Sequence, residues 1–425
     1  MKYLKYNLNS YNLHFIKTPK FKTISVLVNF RKPIKKEEVT IRNFLSLMLL
    51  QSTKNFPTKR LLAIETEKLY NANLIVKPLR LGNYTILSFS LMMLNDNYTE
   101  EGMYEKTLSF LFEILFNPNV TNEAFDSKSF NIVKNIYVSW LKSIKDDPRK
   151  YSLIRMLEEI DDEAPYSYRD GYLEDINKID EKTLYEYYKD LIKSDEVDIF
   201  ILGDIDVSKT KRLFKDKFRI NTIKRTKEEI IVEHKKYRRR IKKIKELEDI
   251  KQAKLSIGCK LINLTEHEKK YVLPIYTSIL GGPSYSKLFR NVREKHSLAY
   301  YIASIYINAD NLLLISSGID KENYEKTLEL IKKAMDEMVK GDISSLELKN
   351  AKNNRISIID STLDNPDRII DNYLFMELLG FDDLKTRRKQ YKKVTEEDIK
   401  KVSKKIKMDT VFLLYGDEKD EEDNN

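Results

Sequence analysis

Val197-Asp198-Ile199-Phe200-Ile201-Leu202-Gly203-Asp204 is an apolar run that stops on Gly-Asp, and Thr410-Val411-Phe412-Leu413-Leu414-Tyr415-Gly416-Asp417 repeats it half a chain later. Each run follows a capped helix, opened by Ile179-Asp180-Glu181-Lys182-Thr183-Leu184 in one case and Val394-Thr395-Glu396-Glu397-Asp398-Ile399 in the other. The starts of the two halves correspond as well. Ile24, Val26, Val28 and Phe30 alternate as a strand does, and so do Leu255, Ile257, Cys259 and Leu261. In the first half a helical pattern over 39–53 carries Ile41, Phe44, Leu45, Met48 and Leu49, and Pro57 opens another helix. Strand patterns at 72–78 and 84–93 and a helix over 104–116 follow. In the second half, strand patterns at 301–308 and 312–317 precede a helix with Tyr324, Leu328, Ile331, Met335 and Met338 on one face. Strands separated by helices in irregular order imply an α+β class with mainly antiparallel sheets packed by helices. A length of 425 residues suggests about three domains, but the repeat implies two similar lobes instead.

Lys235-Lys236-Tyr237-Arg238-Arg239-Arg240-Ile241-Lys242-Lys243-Ile244-Lys245 lies between the halves and holds no Gly or Pro. It reads as a solvated linker or an exposed strand edge. The expected division is a first lobe over 1–222, a charged linker over 223–250, a second lobe over 251–415 and an acidic tail over 416–425.

Composition removes several classes. An apolar fraction of 41% is enough for packed cores, so the chain is not disordered. The single cysteine, Cys259, excludes an internal disulfide framework and a cysteine zinc knuckle. His14, His234, His267 and His296 are scattered, with no pair at helical spacing, so a self-contained histidine metal site is hard to build and none of the four is expected to bind metal. The first ten residues lack the apolar run of a secretory signal, and no stretch of about 18 uncharged apolar residues suggests a membrane span. A cytoplasmic location without membrane attachment is the expectation.

The second half contains Leu280-Gly281-Gly282-Pro283-Ser284-Tyr285-Ser286-Lys287-Leu288-Phe289-Arg290-Asn291-Val292-Arg293-Glu294-Lys295-His296-Ser297-Leu298-Ala299-Tyr300. On residue chemistry alone the two glycines read as a helix C-cap and turn. As a whole, the stretch resembles the second-lobe motif of the pitrilysin/insulinase-type zinc peptidases, the inverzincins, whose relatives include mitochondrial processing peptidase. Asn117-Pro118 followed by Phe125, Leu348-Lys349-Asn350-Ala351-Lys352 and the two Gly-Asp strand ends fall where that family has them. The resemblance covers nearly the whole chain and implies two homologous lobes in a clam-shell arrangement.

Active members carry H-x-x-E-H on the first lobe's early helix, two histidines for zinc and a glutamate to activate its water. The matching segment here is Asn43-Phe44-Leu45-Ser46-Leu47-Met48. Asn43 and Leu47 replace the histidines and Ser46 the glutamate. Leu47 has no lone pair for a metal, and a serine hydroxyl is too weak a base to take a proton from water. Asn135 stands at the third ligand's place on a later helix, and Lys128 where a supporting glutamate is usual. The expectation is a chain without cofactor that does not cleave peptides alone.

Arg293 and Tyr300 match the pair which, in the family, reaches the substrate carbonyl from the second lobe. A guanidinium and a phenol O–H aimed at a developing oxyanion stabilise it. The alternative is a surface ion pair of Arg293 with Glu294 and a half-buried strand tyrosine. Asn71-Ala72-Asn73-Leu74-Ile75-Val76-Lys77 matches the edge on which the family adds a substrate strand. Ala72, Asn73 and Leu74 are then substrate-binding candidates beside Gly281, Gly282, Arg293 and Tyr300. An ordinary edge strand blunted by Lys77 and Pro78 fits equally well.

Together these imply a non-catalytic, zinc-free subunit of an insulinase-type metallopeptidase, supplying Arg293 and Tyr300 in trans to a zinc-bearing paralogue as a heterodimer, with a homodimer as the other arrangement. Two alternatives stand beside it. One is a purely structural family member. The other is a nucleic-acid binder, based on a net charge of +10 and the basic run. That run has one aromatic, Tyr237, so base-stacking chemistry is thin.

Overall fold

The computed structural model describes residues 1–8, 10–218, 220 and 228–417. Most of the acidic tail, 418–425, lies outside the described residues. The alternating apolar runs become two sheets. The first half supplies β1 (Lys2–Asn7), β2 (Asn12–Lys17), β3 (Thr23–Pro33), β4 (Asn73–Leu81), β5 (Tyr84–Leu94), a short hairpin of β6 (Val120–Thr121) and β7 (Ala124–Phe125), and β8 (Glu196–Gly203). Six of these form one sheet in the order β1-β2-β8-β3-β5-β4. The second half supplies β9 (Lys242–Leu247), β10 (Ala253–Leu261), β11 (Ala299–Ile307), β12 (Leu312–Ile319) and β13 (Ile406–Tyr415), in the order β11-β12-β10-β13-β9.

The two orders are the same when counted from the Gly-Asp strands. β8 pairs antiparallel with β3, which leads to β5 and the edge strand β4, and it pairs parallel with β2 on its other side. β13 pairs antiparallel with β10, which leads to β12 and the edge strand β11, and parallel with β9. The duplication read from two octapeptides therefore extends through five strands of each sheet, and β1 and the β6–β7 hairpin are additions to the first copy.

Part of the expected linker is corrected by this register. Lys242 to Leu247 face Thr410 to Tyr415 as a parallel edge strand. Lysines on an edge strand discourage further strand pairing while their stems cover the sheet. Several cations of the run are also matched internally. Lys242 pairs with Glu159 at 2.6 Å and Lys243 with Glu325 at 3.7 Å, and Arg238 forms an ion pair with the buried Asp409.

The contiguous lobe boundaries need a second correction. By contacts the chain divides into Met1–Lys142 with Arg169–Ile230 and Asn365–Leu378, and Ser143–Tyr168 with Ile231–Asp364 and Leu379–Asn425. The physical cause is a pair of helices. Tyr151, Met156 and Ile160, on the Pro148–Ile160 helix, are buried with Leu312, Leu314, Phe412 and Leu414 of the second sheet. Gly258 in β10 permits that approach, since a Cβ there would lie 2.6 Å from Met156 Sδ. Conversely, Ile369, Ile370 and Leu374 of the Pro366–Leu379 helix are buried with Ile16, Leu27, Phe200 and Leu202 of the first sheet. Each such side chain gains about 1.5–3 kcal/mol on leaving water, so a helix that buries three of them stays with the sheet it covers.

Candidate functional site

The early helix of the first unit spans Lys36–Met48. Asn43 Nδ2 donates to the Val39 carbonyl at 2.8 Å, and Ser46 Oγ donates to the Asn43 carbonyl at 2.6 Å. Both side chains are buried and spent on their own helix. Leu47, directly after Ser46, is half-buried. The Ser127–Lys142 helix packs alongside through Phe44, whose ring stacks on Phe130 at 4.9 Å and meets the edge of Tyr137 at 5.9 Å. Asn135 on that helix is exposed, as is Lys128. An amide, a hydroxyl, an aliphatic chain and a second amide do not make a zinc donor set. Among the described residues, no group of three or more His, Cys, Asp or Glu is placed to hold a metal ion.

The helix is anchored by Arg42 instead. This guanidinium is almost completely buried and donates to Asp195 Oδ2 at 2.7 Å and to the Phe30 carbonyl at 2.7 Å. Burial pushes the Asp195 carboxyl up from its ordinary value, and the charge and hydrogen bond of Arg42 oppose that rise.

The four histidines serve separate structural environments. His14 is fully buried, stacks on Phe200 at 4.2 Å, meets the Tyr3 hydroxyl at 2.7 Å and lies 3.5 Å from Asp198. Burial alone would raise the Asp198 carboxyl. His14, Arg31 and Asn12 outweigh it and hold the group well below the usual carboxylate range. His234 Nε2 meets the Asp310 carbonyl at 2.8 Å, and burial lowers its pKa, so it is neutral near pH 7. His267 lies near the Tyr271 ring, and His296 meets the Asn291 carbonyl at 2.6 Å.

The second-unit motif has a different character. Gly281 ends the Leu273–Leu280 helix in an extended conformation, and its carbonyl accepts from the backbone N–H of Ser304 at 2.7 Å and from the Ser304 hydroxyl at 2.7 Å. A Cβ on Gly281 would lie 2.8 Å from Leu288 Cδ1 and 3.1 Å from Ser304 N, whereas one on Gly282 would meet nothing within 4 Å. Gly281→Ala is therefore expected to cost about 1–3 kcal/mol by overpacking and Gly282→Ala less than half a unit of that scale, a contrast that denaturant midpoints would show. The first glycine docks a helix end on β11; the second is an open turn.

Arg293 sits in the helical turn Phe289–Glu294, exposed, with its guanidinium 4.8 Å from the Phe289 ring centroid. It forms no ion pair with Glu294 or with any other described residue. Tyr300 is the second residue of the edge strand β11 and is 59% exposed rather than half-buried. Its hydroxyl donates to Asp320 Oδ1 at 3.1 Å, and that hydrogen bond raises its pKa, keeping the phenol a proton donor. Both side chains are thus presented outward without a core to fill. Asp320 escaped the sequence reading because nothing in its spacing links it to Tyr300; only the pairing of β11 with β12 does.

In the first unit, Asn73 and Leu74 begin β4, which is the sheet's edge. Ala72 precedes them and is buried. The outer strand shows Ile75 and Leu79 to solvent. Sequence reasoning also passed over Ile132, Ile136 and Trp140, three exposed side chains at helical spacing on the helix that carries Asn135. Their i, i+4, i+8 spacing was the available signal.

The fold agrees with comparison to known proteins. The family profile described as "Peptidase M16 inactive domain" matches residues 178–355. The chain is 31% identical over 413 residues, 95% of its length and 96% of the relative's, to the "Probable inactive metalloprotease YmfF" of Bacillus subtilis. It is 30% identical over 112 residues, 26% of its length and 27% of the relative's, to the "Uncharacterized zinc protease YmxG" of the same organism. Among solved structures, a conserved protein from Enterococcus faecalis superposes with a TM-score of 0.90 at 26% identity, covering 98% of this chain and 99% of that one. A peptidase M16 inactive domain from Pseudomonas fluorescens shares the fold at a TM-score of 0.76 and 17% identity, with 98% of each chain covered. The chain belongs to the M16 peptidase family, the pitrilysin/insulinase type that its motifs resemble, and is a homologue of that family's inactive metalloproteases.

Proposed function

We propose that this chain is the zinc-free member of a peptidase pair, binding peptide and offering Arg293 and Tyr300 to the reaction centre of a zinc-bearing paralogue. The observation that carries the reading is the unequal fate of two motifs. At the metal positions, Asn43 and Ser46 are folded back onto their own helix. At the second motif, Arg293 and Tyr300 are kept and exposed. Loss of one half of a site with retention of the other is what a divided active site needs. The similarity to two Bacillus subtilis proteins, one named inactive and one named a zinc protease, supports a pairing of unlike chains.

Peptide would be held partly along the β4 edge, where unpaired backbone groups from Asn73 onward accept an added strand. The pairing is tested by co-expression with a paralogue of similar length carrying H-x-x-E-H. The expected result is co-purification, with zinc in the partner and near-zero zinc in this chain alone. Stoichiometric zinc in the isolated chain would overturn the assignment. A scaffold reading has one observation in its favour, the Tyr300–Asp320 hydrogen bond, which gives the tyrosine a local structural role. The two readings part on whether substitutions at Arg293 change rate without changing assembly.

A further inference from the structure

The end of the Pro148–Ile160 helix, the basic run and β10 meet within the second unit at a cleft of about 330 Å³, whose lining includes Asp161, Asp162, Lys236, Arg238 and Lys260. Lys260 distinguishes it from a surface dent. The residue is only 9% exposed, and the anion nearest its ammonium is Asp409, at 3.9 Å, beyond hydrogen-bond reach. Asp409 is already engaged. It takes the Arg238 guanidinium, the Arg238 backbone N–H at 3.2 Å and the Thr410 hydroxyl at 2.9 Å. An ammonium has three donors and no acceptor. Among the described residues none accepts a hydrogen bond from Lys260, whose ion-pair partner is Asp409 at 3.9 Å, so its donors are left for a ligand or water in the cleft.

Charge balance decides what that is. Lys236, Arg238 and Lys260 face Asp409, Asp161 and Asp162, which leaves the cleft with no net charge. A small dianion drawn to Lys260 would also meet two carboxylates of the lining. A molecule carrying both charges suits both walls. Asp161 and Asp162 directly follow the last turn of a 13-residue helix, where the helix dipole adds partial negative charge. An ammonium belongs at that end and a carboxylate at the other. The volume falls at the small end of ligand sites, which run from about 300 Å³ upward, and has room for an amino acid or a dipeptide.

We infer that this cleft binds a small zwitterion, an amino acid or short peptide, with its carboxylate on Lys260 and its ammonium at Asp161 and Asp162. The inference does not depend on Arg293, Tyr300 or a partner subunit.

Calorimetric titration of the full chain tests it with alanine, glutamate, lysine and dialanine against acetate, methylammonium and inorganic phosphate. At least one zwitterion is expected to bind saturably. Acetate and methylammonium, each serving one wall, should bind at least about tenfold more weakly. Preference for alanine would assign free amino acids, and preference for dialanine would assign peptides. Lys260→Met should weaken binding by about tenfold or more. Should that variant fail to fold, Lys236→Ala, at an exposed position, is expected to weaken binding by about threefold. The inference is overturned if no zwitterion binds at millimolar concentration, if phosphate binds as tightly as any zwitterion, or if a folded Lys260→Met chain or the Lys236→Ala chain binds unchanged.

Discussion

In the proposed complex with a zinc-bearing paralogue, Arg293→Ala is expected to lower the peptidase rate by about 10²-fold, the usual loss for one oxyanion donor, while assembly stays intact. The structure makes the second half of that statement testable. Arg293 is exposed with its guanidinium over the Phe289 ring and has no ion-pair partner among the described residues, so truncation removes no buried ion pair and opens no cavity. A donor that acts on the developing charge alone should show itself as a fall in kcat with little change in KM. Tyr300→Phe is the companion variant. It keeps the ring on β11 and deletes only the hydroxyl that otherwise bonds Asp320. Steady-state rates unchanged in both variants, with the complex intact, would leave the chain a scaffold.

The largest effect on stability is expected from Arg42→Met. Asp195 is fully buried and Arg42 is its ion-pair partner at 2.7 Å. Removing one member of such a pair leaves a buried charge uncompensated and costs about 3–5 kcal/mol. The pH dependence of that loss has a definite sign. Burial already raises the Asp195 carboxyl above its unfolded value, and without Arg42 it rises further. A carboxyl with a raised folded pKa binds protons more readily in the folded state, so its contribution is fully present below the unfolded value of about 3.9. It is lost as pH rises through the folded value. The deficit of Arg42→Met relative to the native chain should therefore shrink in acid and be greatest at neutral pH. Denaturant unfolding across that range would show it, and a deficit independent of pH would mean that packing rather than charge is responsible.

How far the fold could be read from residues depended on whether the signal was local. The Gly-Asp strands and the alternation at Ile24 and Leu255 are local, so the duplication and the α+β class were visible. The resemblance to a zinc motif at Asn43, Ser46 and Leu47 is local too, because it turns on side chains whose chemistry a metal site requires. The destination of the Pro148–Ile160 helix was not. Its apolar face is the same whichever sheet it covers, and only Gly258, far along the chain, admits Met156. The basic run presented a similar ambiguity. Charge alone suits a linker and an edge strand equally, and the parallel register with Thr410 to Tyr415 settles it for 242–247. Lys260 was hidden for the opposite reason, being one lysine among many until its burial set it apart.

The helices opened by Pro148 and Pro366 hold matching places in the two repeats, and each covers the sheet built mainly by the other half. That is the arrangement of a domain-swapped dimer whose two chains have been joined end to end. Half of this chain folded by itself would leave a sheet face bare and a helix without a bed.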